Sequence, residues 1–308
     1  MRFSLRVAIG LVGAGLCLSS PATGHPVSLD VVAVLSQDLA PYRTAVEGIK
    51  ADGTLRVTVL DLKGDLKEGA WIIRKIRSLK PDIIVSVGSL ATVILGDEIR
   101  DIPVVFCMTT EIPEVARSSS NVTGVYLRVA ADRQFKSLKQ VIPGIGSIGV
   151  VYDAEHSSDL IAEAGRSARD MGLVLVERPV SEAREVPEAL RSLVGKAESI
   201  WLIPDSTCFT RESFEFALKL SLEHRIPLMV FSEAYVRAGA LLSLSPDYEG
   251  VGGQTARLVR RIHSGESIGT LLPEGPDDPV LVINRRTARN LGAAIASRAL
   301  WGAARLVE

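Results

Sequence analysis

The sequence predicts an α/β protein built from two open, Rossmann-like parallel-sheet lobes joined by a hinge that the chain crosses three times. Three observations point there. Short apolar, β-branched runs recur roughly every 26 residues, which is the period of a strand plus a helix. They fall into two sets of four. Three more strand-like segments lie where one set must give way to the other.

The first set begins near Leu29, Leu55, Asp82 and Pro103, at spacings of 26, 27 and 21 residues. The second begins near Ser147, Leu173, Ser199 and Pro227, at spacings of 26, 26 and 28. Continuous apolar runs, in place of strict alternation, mark strands covered by helices on both faces. Helix signals fill the gaps. Leu66, Ala70, Ile73, Ile76 and Leu79 recur at three- and four-residue steps, and Pro81 stops the run. Phe135, Leu138 and Ile142 mark a second helical face, ended by Pro143-Gly144, and Thr210 is a natural N-cap for a helix running to Glu223.

The three remaining strand-like segments are Thr123 to Leu127, Ala240 to Ser245 and Val280 to Asn284. Read as crossings, they place residues 25–124 and 243–266 in one lobe and residues 125–242 and 267–308 in the other. Hinge positions then fall near Gly124, Ser243 and Val282. Open α/β sheets bind ligands beyond the carboxyl ends of their strands, so two facing lobes enclose a cleft between two rims of loops.

Residues 1–24 read as an export leader, not as part of the fold. Arg2 and Arg6 precede an uncharged run of 12 residues from Val7 to Leu18, and Ala22-Thr23-Gly24 supplies a cleavage site before His25. A membrane-spanning helix needs about 20 apolar residues. Lipid attachment at Cys17 is the lesser alternative, because Leu16 stands where a small residue is wanted. The expected product is a periplasmic protein. The charges of the full chain balance at 35 basic against 36 acidic residues with no long single-sign run, which excludes a nucleic-acid-binding stripe. A monomer is expected.

Motifs of catalysis and cofactor binding are missing from this layout. Gly144-Ile-Gly146-Ser-Ile-Gly149 matches a dinucleotide fingerprint in letters, but its glycines enter a strand instead of leaving one for a helix. There is no phosphate-binding P-loop and no nucleophile elbow. The four histidines (His25, His156, His224 and His263) lack metal-ligand spacing, so no metal and no cofactor are expected. Cys107 and Cys208 are expected to be buried thiols in different lobes.

The strand ends instead carry residues suited to recognition. On the first rim stand Ser36, Tyr42, Gly88, Ser89, Thr109, Thr110 and Glu111; on the second, Asp153, Asp205, Ser206, Thr207 and Glu233, with Tyr126 at a crossing. Gly88-Ser89, opening a helix, offers backbone N–H groups to an anion such as a carboxylate. Glu111, Asp205 and Glu233 suit an ammonium or hydroxyl groups. Of 15 aromatic residues, Tyr42, Phe106, Tyr126, Tyr152, Phe209, Phe231 and Tyr248 fall at strand ends or crossings, which suggests a pocket that stacks a flat group. Replacing Asp205 by Ala is expected to weaken binding at least tenfold without unfolding the protein.

Taken in order, Lys80-Pro81-Asp82, Gly88-Ser89, Asp101-Ile-Pro103, Asn121-Val-Thr-Gly124-Val125, Ile203-Pro-Asp205-Ser-Thr207, Ile226-Pro227, Gly239-Ala-Leu241, Asp247-Tyr248, Ile283-Asn284 and Leu291-Gly292 form a recognisable series. With these landmarks the chain resembles the ABC-transporter substrate-binding family that takes up tryptophan or tyrosine, which has the type I periplasmic-binding-protein clamshell. The resemblance implies capture of a small molecule between the lobes, with an aromatic amino acid as first expectation. It also implies delivery to an ABC permease driven by a cytoplasmic ATPase. Glu111-Ile112 stands where the family usually has Asp-Pro, and Asp205-Ser206 replaces a common Asp-Asn, so the substrate is in question while the fold is not. The alternative is a sensor subunit whose closed clamshell docks on a receptor.

Overall fold

A computed structural model describes residues 29–292 and 304–308. The leader and Cys17 lie outside the described residues. The first sheet has five strands, β1 (Leu29–Leu35), β2 (Leu55–Asp61), β3 (Ile83–Val87), β4 (Val104–Thr109) and β5 (Val122–Tyr126), all parallel in the order β2-β1-β3-β4-β5. The second has seven. These are β6 (Ser147–Asp153), β7 (Val174–Val180), β8 (Ser199–Trp201), β9 (Leu228–Val230), β10 (Leu242–Ser245), β11 (Val280–Asn284) and β12 (Ala304–Val307), ordered β12-β11-β10-β9-β8-β6-β7. Only the β10–β11 pair is antiparallel.

Helices cover both faces of each sheet. They are α1 (Ala40–Lys50), α2 (Gly69–Leu79), α3 (Ser89–Glu98), α4 (Glu114–Ser118), α5 (Ala131–Val141) and α6 (Ala154–Asp170). The rest are α7 (Val186–Arg191), α8 (Arg211–His224), α9 (Glu233–Arg237), α10 (Tyr248–His263) and α11 (Arg285–Leu291). One face of the first sheet packs on α1 and α10 through Val46, Ile49, Val251 and Val259; the other packs on α2 and α3 through Ile72, Ile76 and Leu95. In the second lobe Phe135, Leu138 and Ile161 fill one face, and Leu190, Phe214 and Val236 the other. All eight predicted strands form. β1, β3 and β4 are buried almost throughout, but the edge strands β2 and β7 are largely open to solvent because each has a neighbour on one side only.

Two local expectations change. The run from Leu66 begins as a 3-10 turn capped by Asp65, and α2 proper starts at Gly69. Its buried stripe is Ile72 and Ile76, while Leu66 and Leu79 stay exposed. The helix after Thr210 forms as expected, with a capping box between Thr210 and Ser213.

The three crossing segments do not span the gap between lobes as strands. Each pairs into a sheet, β5 at the edge of the first and β10 and β11 inside the second, since pairing satisfies a strand's backbone groups better than an exposed connection would. β5 extends the first sheet beside β4, so the chain leaves this lobe after Tyr126, not at Gly124. β10 lies wholly in the second sheet, and the return crossing is Pro246-Asp247, not Ser243. Residues 267–275, expected in the second lobe, remain with the first. Thr123 donates its hydroxyl to the Leu271 carbonyl at 2.8 Å, and Glu274 bridges to Val125. The third crossing therefore lies between Gly275 and Val280, held by buried Gln254, which donates to Gly275 and accepts from the Asp277 amide.

Candidate functional site

On the first rim, Ser36, Tyr42 and Gly88 converge. Gly88 has φ +92°, and a Cβ there would stand 2.6 Å from the Tyr42 hydroxyl and 2.7 Å from Ser36 Oγ, so only glycine fits the turn. Ser36 Oγ accepts from the Ala91 amide at 3.0 Å and so caps α3 from a neighbouring strand. The amides of Ser89 and Leu90, at the exposed start of α3, have no partner among the described residues. Burial pushes the Tyr42 phenol up from its ordinary range.

β4 ends in a bulge at Met108, whose φ of +60° is unusual for a side-chain-bearing residue and shifts the register so that Thr109 pairs with Tyr126. Thr109 is 1% exposed and its hydroxyl has no hydrogen-bond partner among the described residues, although its carbonyl accepts from the Leu127 amide. Thr110 faces the cleft. Glu111 pairs with Arg128, a residue of the first crossing. Arg128 also pairs with Glu163 of α6 and lies over the Tyr126 ring, with both Glu contacts at 3.0 Å. Burial raises the Glu111 carboxyl's pKa against the pull of that guanidinium.

The second rim is organised by Asp205. Its Oδ1 accepts from the Thr207 and Cys208 amides, and its Oδ2 from the Asp153 amide and the Ser157 hydroxyl, at 2.7 to 3.0 Å. Burial opposes ionisation, but these four donors outweigh it and hold the carboxyl below its ordinary range. Asp153 caps α6 and accepts from Thr207 Oγ1 at 2.6 Å and binds His156 Nδ1 at 2.8 Å. Thr207 is the chief cause that brings its pKa down to about 2. Ser206 is exposed beside this network. Beyond it Phe209, Phe231 and Tyr235 pack edge to face, and Phe214 joins the cluster at a tilt. Glu233 pairs with Arg237 and with Arg305 of β12.

Between the rims lies a cavity of about 300 Å³, bounded by Thr110 and Tyr248 from the first lobe, Arg128 from the crossing, and Gln134, Phe231 and Tyr235 from the second. Behind Ser232 and Tyr248 a larger hollow of about 550 Å³ is lined by Thr44, Glu233, Arg237 and Arg305. Of the residues expected from sequence, Thr110, Phe231 and Tyr248 reach the first space, and Glu233 and Tyr248 the second. Ser36, Tyr42, Gly88 and Ser89 form a separate first-rim cluster, and Asp153, Asp205 and Thr207 bond to one another within the second rim. Phe106 is core. Arg128, Gln134 and Tyr235 line the cavity and carried no sequence signal. Cys107 and Cys208 are free, buried and in different lobes, and burial raises the Cys107 thiol to about 12. Among the described residues no cluster of His, Cys, Asp and Glu is arranged for a metal.

Residues 43–307 match the family described as ABC transporter substrate binding protein. The chain belongs to that family. A tyrosine-binding protein of Clostridioides difficile (strain R20291) is 24% identical over 253 residues, covering 80% of this chain and 73% of the relative. Among solved structures, a ligand-free, open substrate binding protein with adhesive properties from Clostridium difficile aligns with a TM-score of 0.75 at 20% identity. That match covers 91% of this chain and 99% of the other. An ABC domain in complex with L-Trp from Streptococcus pneumonia aligns at 0.61 and 19% identity, covering 91% and 100%. The fold shared with these structures is that of the type I periplasmic binding proteins. Members of the family are extracytoplasmic solute binders that work with a permease, not enzymes. No helix among the described residues is long and apolar enough to cross a membrane.

Proposed function

We propose that this protein is the exported solute-binding component of an ABC importer and that it captures a small ligand with a flat body in the cleft between its lobes. One observation carries the reading: a cavity of about 300 Å³ takes its walls from both lobes and from the crossing that joins them. A ligand seated there touches both halves at once. It therefore favours whichever inter-lobe angle brings both sets of contacts into reach, and the segments at 127–130, 246–247 and 275–280 absorb the rotation. Family membership and the tyrosine-binding relative support the same assignment. The permease then reads the closed form, and the leader at residues 1–24 delivers the protein to the extracytoplasmic side.

The test is a thermal-shift screen of purified protein, unfolded and refolded to strip carried ligand, against amino acids, organic acids, nucleosides and sugars. Ligand at 100 times its dissociation constant adds about 2.7 kcal/mol, several degrees for a chain of this size. A selective shift with one chemical class is expected. A cooperative melt that none of the four classes moves would remove the importer assignment.

A further inference from the structure

We infer that Arg128 is a positioning residue, the pivot of the first crossing, and that its ion pair with Glu163 is a latch that holds the two lobes at the angle at which the cavity exists. Backbone bonds and packing place the change of lobe at this one residue. The Leu127 amide donates to the Thr109 carbonyl at 2.7 Å, and the Leu127 side chain packs on the core of the first lobe. Two residues on, the Val129 carbonyl accepts from Gln134 Nε2 of α5 at 2.7 Å, and the Val129 side chain is buried in the core of the second lobe. Leu127 therefore moves with one lobe and Val129 with the other, and a change of inter-lobe angle falls on the backbone of Arg128.

The side chain is fastened unevenly across that pivot. On the first-lobe side the guanidinium lies over the Tyr126 ring, 5.7 Å from its centroid, and its Nε donates to Glu111 at 3.0 Å. On the second-lobe side its Nη1 donates to Glu163 of α6 at 3.0 Å. Two contacts thus carry the arginine as an arm of the first lobe, and Glu163 is the catch on the second. Rotation about the pivot swings the arm past the catch, and a hydrogen bond is gone once the gap passes about 3.5 Å. The Arg128 side chain is 19% exposed, so solvent and salt screen the pair less than they would an open surface pair.

The pivot is also part of the cavity. Leu127, Arg128 and Val129 all line it, whereas Glu163 does not. The inter-lobe angle and the shape of that wall are therefore set at the same residue, and Glu163 acts on the cavity through Arg128 alone. Removing the catch leaves every cavity-lining side chain in place and frees the angle.

Double electron–electron resonance on the unliganded protein, unfolded and refolded to strip carried ligand, reads the angle. Nitroxide labels go on Lys67→Cys and Glu212→Cys, exposed positions on the two rims. Cys107 and Cys208 are buried, so the introduced thiols take the label. The labelled parent should give one narrow distance distribution. Glu163→Ala and Arg128→Gln should each move its mean to longer distance by more than the parent's width. The two combined should move it no further than the larger single shift, since both remove the same bond. Glu111→Gln breaks the guanidinium's other pair, within the first lobe, and should leave the mean in place. Glu163 is a partly exposed helix residue, so Glu163→Ala decides the outcome if Arg128→Gln does not fold. A distribution that Glu163→Ala leaves unchanged, additive shifts in the combined variant, or an equal shift in Glu111→Gln would overturn the latch. No ligand enters the measurement, so its failure leaves the proposed binding function standing, and a ligand screen that fails leaves the latch standing.

Discussion

Replacing Asp205 by Ala is the perturbation whose outcome separates a rim organiser from a ligand contact. The carboxylate is 3% exposed and receives four hydrogen bonds, three from backbone amides and one from the Ser157 hydroxyl. Thr207 is half-buried, so its amide can turn to water. The Asp153 and Cys208 amides and the Ser157 hydroxyl belong to buried residues and lose their partner outright. A buried donor left unsatisfied costs about 1–3 kcal/mol, and partial relaxation trims the sum, so Asp205→Ala should destabilise by about 3–5 kcal/mol. For a lobe of this size that lowers the midpoint by about 10 °C in calorimetry. Asp205→Asn keeps an oxygen for the Thr207 and Cys208 amides but turns an NH₂ toward the Asp153 amide, so it should lose roughly half as much. The sequence-based expectation is instead that affinity falls at least tenfold without unfolding the protein. A melting midpoint for Asp205→Ala within about 2 °C of the parent would refute the organiser role.

Further predictions follow from other contacts. Gly252→Ala puts a Cβ 2.0 Å from the Ala45 carbonyl where α10 crosses α1, and backbone cannot yield there as a side chain would. The cost should be about 1–3 kcal/mol in denaturant titration. Gly253→Ala is the control, because its Cβ meets nothing nearer than Arg257 at 3.9 Å and should gain up to about 1 kcal/mol of helix propensity; equal effects at the two sites would discredit the close crossing. Thr109→Val removes a buried hydroxyl without a partner, so the unliganded protein should melt at the same temperature or up to a few degrees higher. A clear loss of stability would mean that the hydroxyl is bonded after all. His156 has its pKa raised chiefly by the hydrogen bond to Asp153. A raised folded-state value gives stability that is complete below the unfolded value near 6.5 and lost as pH rises through the folded one. His156→Gln should therefore melt below the parent at about pH 5.5 and with it at about pH 8.5; a constant difference across that range would exclude the titration.

Much of the fold was legible because its causes are local. The apolar runs at Leu29, Asp82 and Pro103 become β1, β3 and β4, buried on both faces because helices cover them. Thr210 reads as an N-cap and caps α8, since that bond spans three residues. Pro81 marks the end of α2, where Lys80 takes a left-handed conformation. The order of landmarks along the chain was enough to place it in its family.

The ligand site was less legible, because a cavity's chemistry depends on which side chains meet after two lobes have packed. Arg128 is one of 35 basic residues, and nothing in its neighbourhood marks it. Its importance comes from Glu111 and Glu163, 17 and 35 positions away, and from its place on a crossing. Asp205 stands in a conspicuous motif, yet its partners at Asp153 and Ser157 lie about fifty residues earlier and tie it into the second rim. Strand and helix identity, caps and the two-lobe count were set by hydrophobic period and turn chemistry within short windows. Sheet edges, the true crossing points and the charge of the cavity wall were decided only in three dimensions, where pairing and burial bring distant residues into contact.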